Sequence, residues 1–381
     1  MFYFVEHLSA GPQSPDFVGT PPEGPGIPFP RIEPDSVSSG KAVPTMREVP
    51  PVEDLGEGLW SIPVPVPHNP IGFTYVYVLS ATGGPVLIDT GWNHDDSWTA
   101  LVEGLARTGH GVDEVQGAVV THFHPDHSGL TGRLREASDA WIAMHPRDIA
   151  ILENLAGQAP EERAASMVAQ MTRAGFPAED VDAFRASPTV FRSPAIPDRT
   201  LGDGEPLDIP GVALRAVWTP GHTPGHLCLH LADRDLLFTG DHVLPRITPH
   251  VGQFPLDSTK GDPLGDFLSS QARTGRLPDA ERLLCLPSHE QRFTGLPERT
   301  RAIIDHHEER LARMADLLRK GPTTLWELTS GLEWRRSWED MRVSARHMAT
   351  SETAAHLRTL EERGLVERDG SMELPRWATI T

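Results

Sequence analysis

The stretch THFHPDHSG, residues 121–129, places His122, His124, Asp126 and His127 within six positions. It follows QGAVV at 116–120, whose apolar end predicts a buried strand. In extended backbone alternate side chains share a side, so His122 and His124 can grip one cation. Pro125 breaks the strand, and Asp126 and His127 just beyond it can turn toward a second cation. Even in a chain with 18 histidines, four donors leaving one strand end favour a metal site over an ordinary polar loop.

Length and composition bound what surrounds this loop. With 381 residues and 38% apolar content the chain can bury a sizeable core, and its length suggests two folded units. Its 34 basic and 53 acidic side chains give a formal charge of −19. Binding a phosphate backbone needs a basic footprint, so nucleic acid is disfavoured as the main ligand and a small molecule is expected. Cys228 and Cys285 lie in apolar runs without CxxC spacing and read as buried free thiols of a reducing compartment. The start, MFYFVEHLSAG, lacks the basic and apolar segments of a signal peptide, and no run approaches the roughly 18 apolar residues of a membrane span. A soluble cytoplasmic protein without membrane contact is expected.

The histidine loop resembles that of the metallo-β-lactamase superfamily, and other runs of the sequence match the family's remaining ligand positions. VWTPGHTPGH, residues 217–226, carries His222 in its TPGHT turn. LLFTGD, residues 236–241, ends in Asp241, and LLCLPSHE, residues 283–290, contains His289. The resemblance covers residues 58–293. It implies a four-layer αββα sandwich in which His122, His124 and His222 hold one metal, Asp126, His127 and His289 hold a second, and Asp241 bridges them. Two zinc ions are implied, with iron or manganese compatible with the two carboxylates. Asp89, in the Asp-Thr-Gly turn, would lie under the loop and orient a histidine by hydrogen bonding. Asp126 would orient the bridging hydroxide and receive its proton.

Many chemistries share this ligand set, so the resemblance fixes fold and site more tightly than substrate. The acidic balance and an insertion suited to a small molecule favour hydrolysis of an ester or thioester of the acyl-CoA or acylglutathione type, similar to glyoxalase II and acyl thioesterases of this fold. The alternative is a phosphodiesterase or endoribonuclease like the winged-helix relatives, against which the charge speaks. A β-lactamase proper is disfavoured because Asp241 stands where the common zinc lactamases have cysteine. A ligand-binding protein without catalysis is disfavoured by the full set of seven ligands.

Three units are expected along the chain. Residues 1–57 are rich in Pro, Gly and Ser and read as an extended arm. Residues 58–296 form the metallo-β-lactamase domain, with a proline-marked edge strand at 59–67, strands at 73–79 and 85–89, and a helical insertion at 146–197 that forms one wall of the pocket. After Asp241 the segment HVLPRITPHVGQFP must pass the metal mouth, so His242, Arg246 and His250 are candidates for substrate contact. Arg246 suits a carboxylate or phosphate, and His242 could donate a proton or cap the pocket. Residues 297–381 read as an amphipathic helix at 301–319, a short helix at 323–329, a third helix capped by Thr350 and Ser351, and a hairpin turning at Asp369-Gly370. That order is a winged helix, which resembles one branch of the family. Its 14 basic and 15 acidic side chains suit a lid or homodimer contact better than nucleic acid.

Overall fold

The computed structural model describes residues 6–7, 48–186, 194–256 and 260–380. Among the described residues one sheet runs, in spatial order, through Glu53–Gly56, Leu59–Pro65, Phe73–Leu79, Val86–Ile88, Gly117–Val119, Trp141–Met144 and Arg199–Thr200. A second sheet has the order Leu284–Pro287, Leu236–Gly240, Leu227–Leu231 and Leu214–Trp218. Alternation along the strands decides which side chains meet. Tyr77, Leu79, Leu227, Leu229, Leu231 and Phe238 fill the space between the sheets. Val76 and Val78 face the other way, onto helix residues Leu101, Leu105 and Leu134. On the far side of the second sheet Cys228, Leu237 and Cys285 pack on Leu264, Phe267 and Ile303. Helix, sheet, sheet and helix layers follow, as the αββα expectation required.

Two parallel strand pairs place the site. Val86–Ile88 lies parallel to Gly117–Val119, so Asp89 and Thr121 emerge side by side. Leu236–Gly240 lies parallel to Leu284–Pro287, so Asp241 and His289 emerge together from the other sheet. Both pairs deliver their next residues at the same end of the sandwich, the carboxyl ends where open α/β sheets bind ligands.

Several expectations need correction. Glu53–Gly56, assigned to the arm, is a strand paired with Leu59–Ser61, so the proline-marked strand is not the edge of the sheet. Its Pro63 and Pro65 fall beyond that pairing, where no strand on the outer side needs their missing N–H groups. Residues 1–5 and 8–47 of the arm expected at 1–57 lie outside the described residues, and Glu6–His7 pairs with Ile247–Thr248. The insertion forms helices Pro146–Ala156, Pro160–Arg173 and Ala178–Ala186. Its Met171 and Phe176, expected to pack on the body more than to line a pocket, join the same apolar cluster as Leu311 and Leu357 of the C-terminal helices.

Helix Pro263–Thr274 links the last two strands of the second sheet, and after it come helices Leu296–Leu318, Leu325–Gly331 and Val343–Glu362, then strands Val366–Asp369 and Arg376–Thr379. The third C-terminal helix begins at Val343, ahead of the expected caps. Thr350 and Ser351 instead return their hydroxyls to the carbonyls of Arg346 and Met348 inside the helix. The closing hairpin turns over more residues than Asp369-Gly370 alone. Asp369 accepts from the Ser371 N–H and hydroxyl, which bends the chain without closing a two-residue turn. No helix among the described residues is long and apolar enough to cross a membrane.

Candidate metal centre

Three histidine nitrogens converge at one point. His122 Nε2 lies 2.9 Å from His124 Nδ1 and 3.2 Å from His222 Nε2, and His124 Nδ1 lies 3.0 Å from His222 Nε2. Ligands about 2.0–2.1 Å from a tetrahedral zinc stand roughly 3.3 Å apart, close to this spacing. Burial pushes His122 and His124 well below the usual histidine range and His222 to about 4. All three are therefore neutral at pH 7, with lone pairs aimed inward as a cation requires.

The adjoining group is charged. Asp126 Oδ2 lies 3.5 Å from His127 Nε2 and 3.4 Å from His289 Nε2. Asp241 reaches both groups: its Oδ2 is 3.6 Å from His222 Nε2 and 3.6 Å from His127 Nε2, and its Oδ1 is 3.3 Å from His289 Nε2. Burial opposes a proton on His289, but Asp241 and Asp126 outweigh it and hold the ring at about 9. Burial likewise opposes protonation of His127, and Asp126, Asp241 and Asp89 outweigh it. Two fully buried carboxylates thus demand positive charge, and imidazolium protons supply it when no cation is present. Asp126 Oδ2 is buried and makes no hydrogen bond among the described residues. The donor set fits two adjacent divalent cations.

Four of the five rings are held by their other nitrogen. Thr121 Oγ1 lies 3.0 Å from His122 Nδ1, and His127 Nδ1 lies 2.8 Å from Asp89 Oδ2. His222 Nδ1 donates to the His250 carbonyl at 2.6 Å, and His289 Nδ1 to that of Phe73 at 3.1 Å. Such partners fix the tautomer and the aim of a ligand. Asp89, expected in this supporting place, also accepts from Thr121 N and Oγ1 and from Ser288 Oγ, which ties the ends of both sheets together. Its φ of +63° is uncommon outside glycine and is sustained by these bonds.

The candidates for substrate contact fare differently. His242 is fully buried and faces the helix Pro263–Thr274, with Nε2 3.2 Å from Thr274 Oγ1. The strand end turns its ring inward, so it is neither a proton donor to substrate nor a cap of the pocket. His250 is also buried, and its ring reaches Ser351 instead of open space. Arg246 keeps a side chain 55% exposed, with Nε 3.3 Å from Glu290 Oε1.

Asp148 was not anticipated. Its buried carboxylate accepts from Phe123 N at 3.0 Å, Thr223 Oγ1 at 2.7 Å and Gly225 N at 2.6 Å. It therefore clamps the histidine loop to the turn that carries His222. In sequence it is an ordinary acid in the first turn of the helix Pro146–Ala156, and no local pattern marks the clamp. His226 is a second support, with Nε2 accepting from Asp241 N at 3.1 Å.

Residues 69–289, more than half of the chain, match the family model of the metallo-beta-lactamase superfamily. A metallo-beta-lactamase family protein from Thermus thermophilus superposes with a TM-score of 0.70 at 30% identity, over 86% of this chain and 100% of that one. A beta-lactamase domain protein from Burkholderia ambifaria gives 0.73 at 25% identity, over 86% and 94%. Among curated proteins, the beta-lactamase-like protein 2 homolog of Caenorhabditis elegans is 23% identical over 85% of this chain and 91% of its own length. Lactamase-like protein adaB of Aspergillus niger is 25% identical over 65% of this chain, and the match spans only 59% of that protein.

Proposed function

The chain belongs to the metallo-beta-lactamase superfamily and is a metal-dependent hydrolase, and from that premise we propose that it cleaves a small ester or thioester of the acyl-CoA or acylglutathione type at a two-metal centre. Asp241 carries the two-metal reading, because its Oδ2 lies 3.6 Å from His222 Nε2 of one group and 3.6 Å from His127 Nε2 of the other, with Oδ1 3.3 Å from His289 Nε2. His122, His124 and His222 would hold one cation, and Asp126, His127 and His289 the other, with zinc favoured by the five imidazoles. Bound there, the pair would supply a nucleophile from water near neutral pH and polarise the scissile carbonyl.

The chain's own groups orient and move protons. His127 and His289 would release their protons in exchange for bound cations, which would leave both carboxylates charged. Burial raises the pKa of Asp126, but His127 and His289 outweigh it, so the carboxylate is ionised and Oδ2 is available to accept a proton from attacking water. Arg246, half-exposed beside the mouth, can meet an anionic leaving group once it releases Glu290.

Charge supports carbonyl over phosphodiester substrates. On the helix Val343–Glu362 and its C-cap, where a winged helix would meet a nucleic acid, Arg346 pairs with Asp180 at 3.0 Å, Arg358 with Glu361 at 3.1 Å, and Arg363 with Glu308 at 2.7 Å. A phosphate backbone would compete with each of these acids. The test is a panel of acyl-CoA, acylglutathione, lactone and bis-p-nitrophenyl phosphate substrates with metal-loaded protein. Turnover of a thioester or ester is expected, and rapid turnover of the phosphodiester alone would overturn the reading.

A further inference from the structure

The segment from Asp241 to Phe254 links a carboxylate of the candidate centre to the carbonyl that aims His222, and two C-terminal helices hold it from outside. Arg299, on the helix Leu296–Leu318, donates from Nε to the Leu244 carbonyl at 2.6 Å and from Nη2 to the Ile247 carbonyl at 2.8 Å. On the helix Val343–Glu362, the Ser351 carbonyl accepts from Gln253 N at 2.9 Å, and Ser351 Oγ lies 3.2 Å from His250 Nε2. Glu352 Oε2 stands 3.6 Å from His250 Nδ1, and its Oε1 stands 3.3 Å from Arg310 Nε. A Cβ on Gly252 would come within 2.8 Å of Ser351 Oγ and 2.6 Å of His250 Nε2, so glycine is what lets the segment lie this close to the helix.

We propose that Ser351 and Arg299 are positioning residues for the His122–His124–His222 site, acting through the 241–254 segment on the ring of His222. The C-terminal unit then belongs to the metal centre as its outer scaffold. A lid would touch the site from across open solvent; these helices bond to the backbone that delivers a ligand and its support. Ser351, His250 and Glu352 do stand in the order of a hydroxyl, imidazole and carboxylate relay. Ser351 has no exposed surface, however, so the relay fixes orientation and offers no nucleophile.

Glu352 adds charge to the arrangement. Burial alone would raise its pKa, but Arg310 and His250 outweigh it and keep the carboxylate ionised. A buried pair of this kind contributes geometry more dependably than net stability. Here it fixes the register between the two C-terminal helices and the His250 loop.

The inference rests on the metal reading above, and full-length protein titrated with Co(II) separates the two. The parent should take up two equivalents, with a visible spectrum for each site. Ser351→Ala and Arg299→Met should each weaken the His122–His124–His222 site by up to about 10-fold, the lower end of what loss of a direct ligand partner costs, because they act on that partner, and should alter its spectrum while sparing the second site. Thr350→Ala is the control, because its hydroxyl bonds within the same helix to the Arg346 carbonyl. It should lower Tm without moving either cobalt affinity. A parent that binds no cobalt sinks the metal reading itself. A parent that binds two, with Ser351→Ala and Arg299→Met indistinguishable from it or from Thr350→Ala, sinks only the positioning role. If Arg299→Met fails to fold, Ser351→Ala alone decides.

Discussion

The loop at 121–129 and the helix Val343–Glu362 are both dense in buried polar side chains, yet they answer burial in opposite ways. In the loop, His122 Nε2 and His124 Nδ1 converge with His222 Nε2, an arrangement that suits a cation. In the helix a buried histidine instead pairs through both ring nitrogens. His356 Nδ1 donates to the Glu352 carbonyl at 2.8 Å and its Nε2 meets His307 Nδ1 at 3.1 Å. Buried histidine therefore does not by itself mark a metal site. Convergence of acceptors without donors does.

The contrast breaks most completely at a ligand. His124→Ala should lose activity and most bound metal, by more than the roughly 10- to 100-fold that an outer partner costs, while the folded core persists. Elemental analysis finding two metals still bound would contradict the assignment. Asp89→Asn comes next, since asparagine tolerates the positive φ at this turn while losing the charge on His127. Metal affinity should fall about 10- to 100-fold, and an unchanged affinity would remove Asp89 from the support of the site.

Acid and base sharpen the same comparison. His289 in the metal-free fold titrates at about 9 against an ordinary 6.5, so its stabilising share is full below 6.5 and disappears as pH rises through 9. Metal-stripped protein should therefore lose Tm between pH 6.5 and 9, while zinc-loaded protein, whose cation replaces the proton, should not. Parallel melting curves would refute this. On the helix side, His356→Gln should lower stability by about 1–3 kcal/mol, the cost of stranding a buried polar partner, with metal content intact. Loss of metal in that variant would show that the helix histidines belong to the centre. Arg246→Ala is expected to do least. KM for an anionic thioester should rise about 2- to 5-fold, the worth of an exposed charge contact, with kcat and metal unchanged. Identical kinetics would take Arg246 out of the mouth.

The ligands were legible because each sits at a strand end inside a short pattern, and a strand end fixes where its next residue emerges. The structure brings His122, His124 and His222 to one point, and His122, His127 and Asp241 to another, although they arise from separate elements. The supporting groups were not legible in the same way. His242 and His250 follow a ligand closely, yet their rings turn into the helices Pro263–Thr274 and Val343–Glu362. Nothing in HVLPRITPH says which side a loop residue faces. Thr350 and Ser351 look like caps because hydroxyls cap helices, and only the full helix shows that they bond backward within it.

Alternation and the strand-end motif thus marked the strands and the histidine loop before any coordinates, because these depend on neighbours in sequence, and the resemblance to the family supplied the layers and the seven candidate ligands. Tertiary structure alone decided that Asp148 clamps the loop to the His222 turn, and that the C-terminal helices brace the segment after Asp241. Those contacts join residues tens to more than a hundred positions apart, for example Ser351 to His250. Which distant surfaces meet is set by the summed burial of the whole core, and no local pattern encodes it.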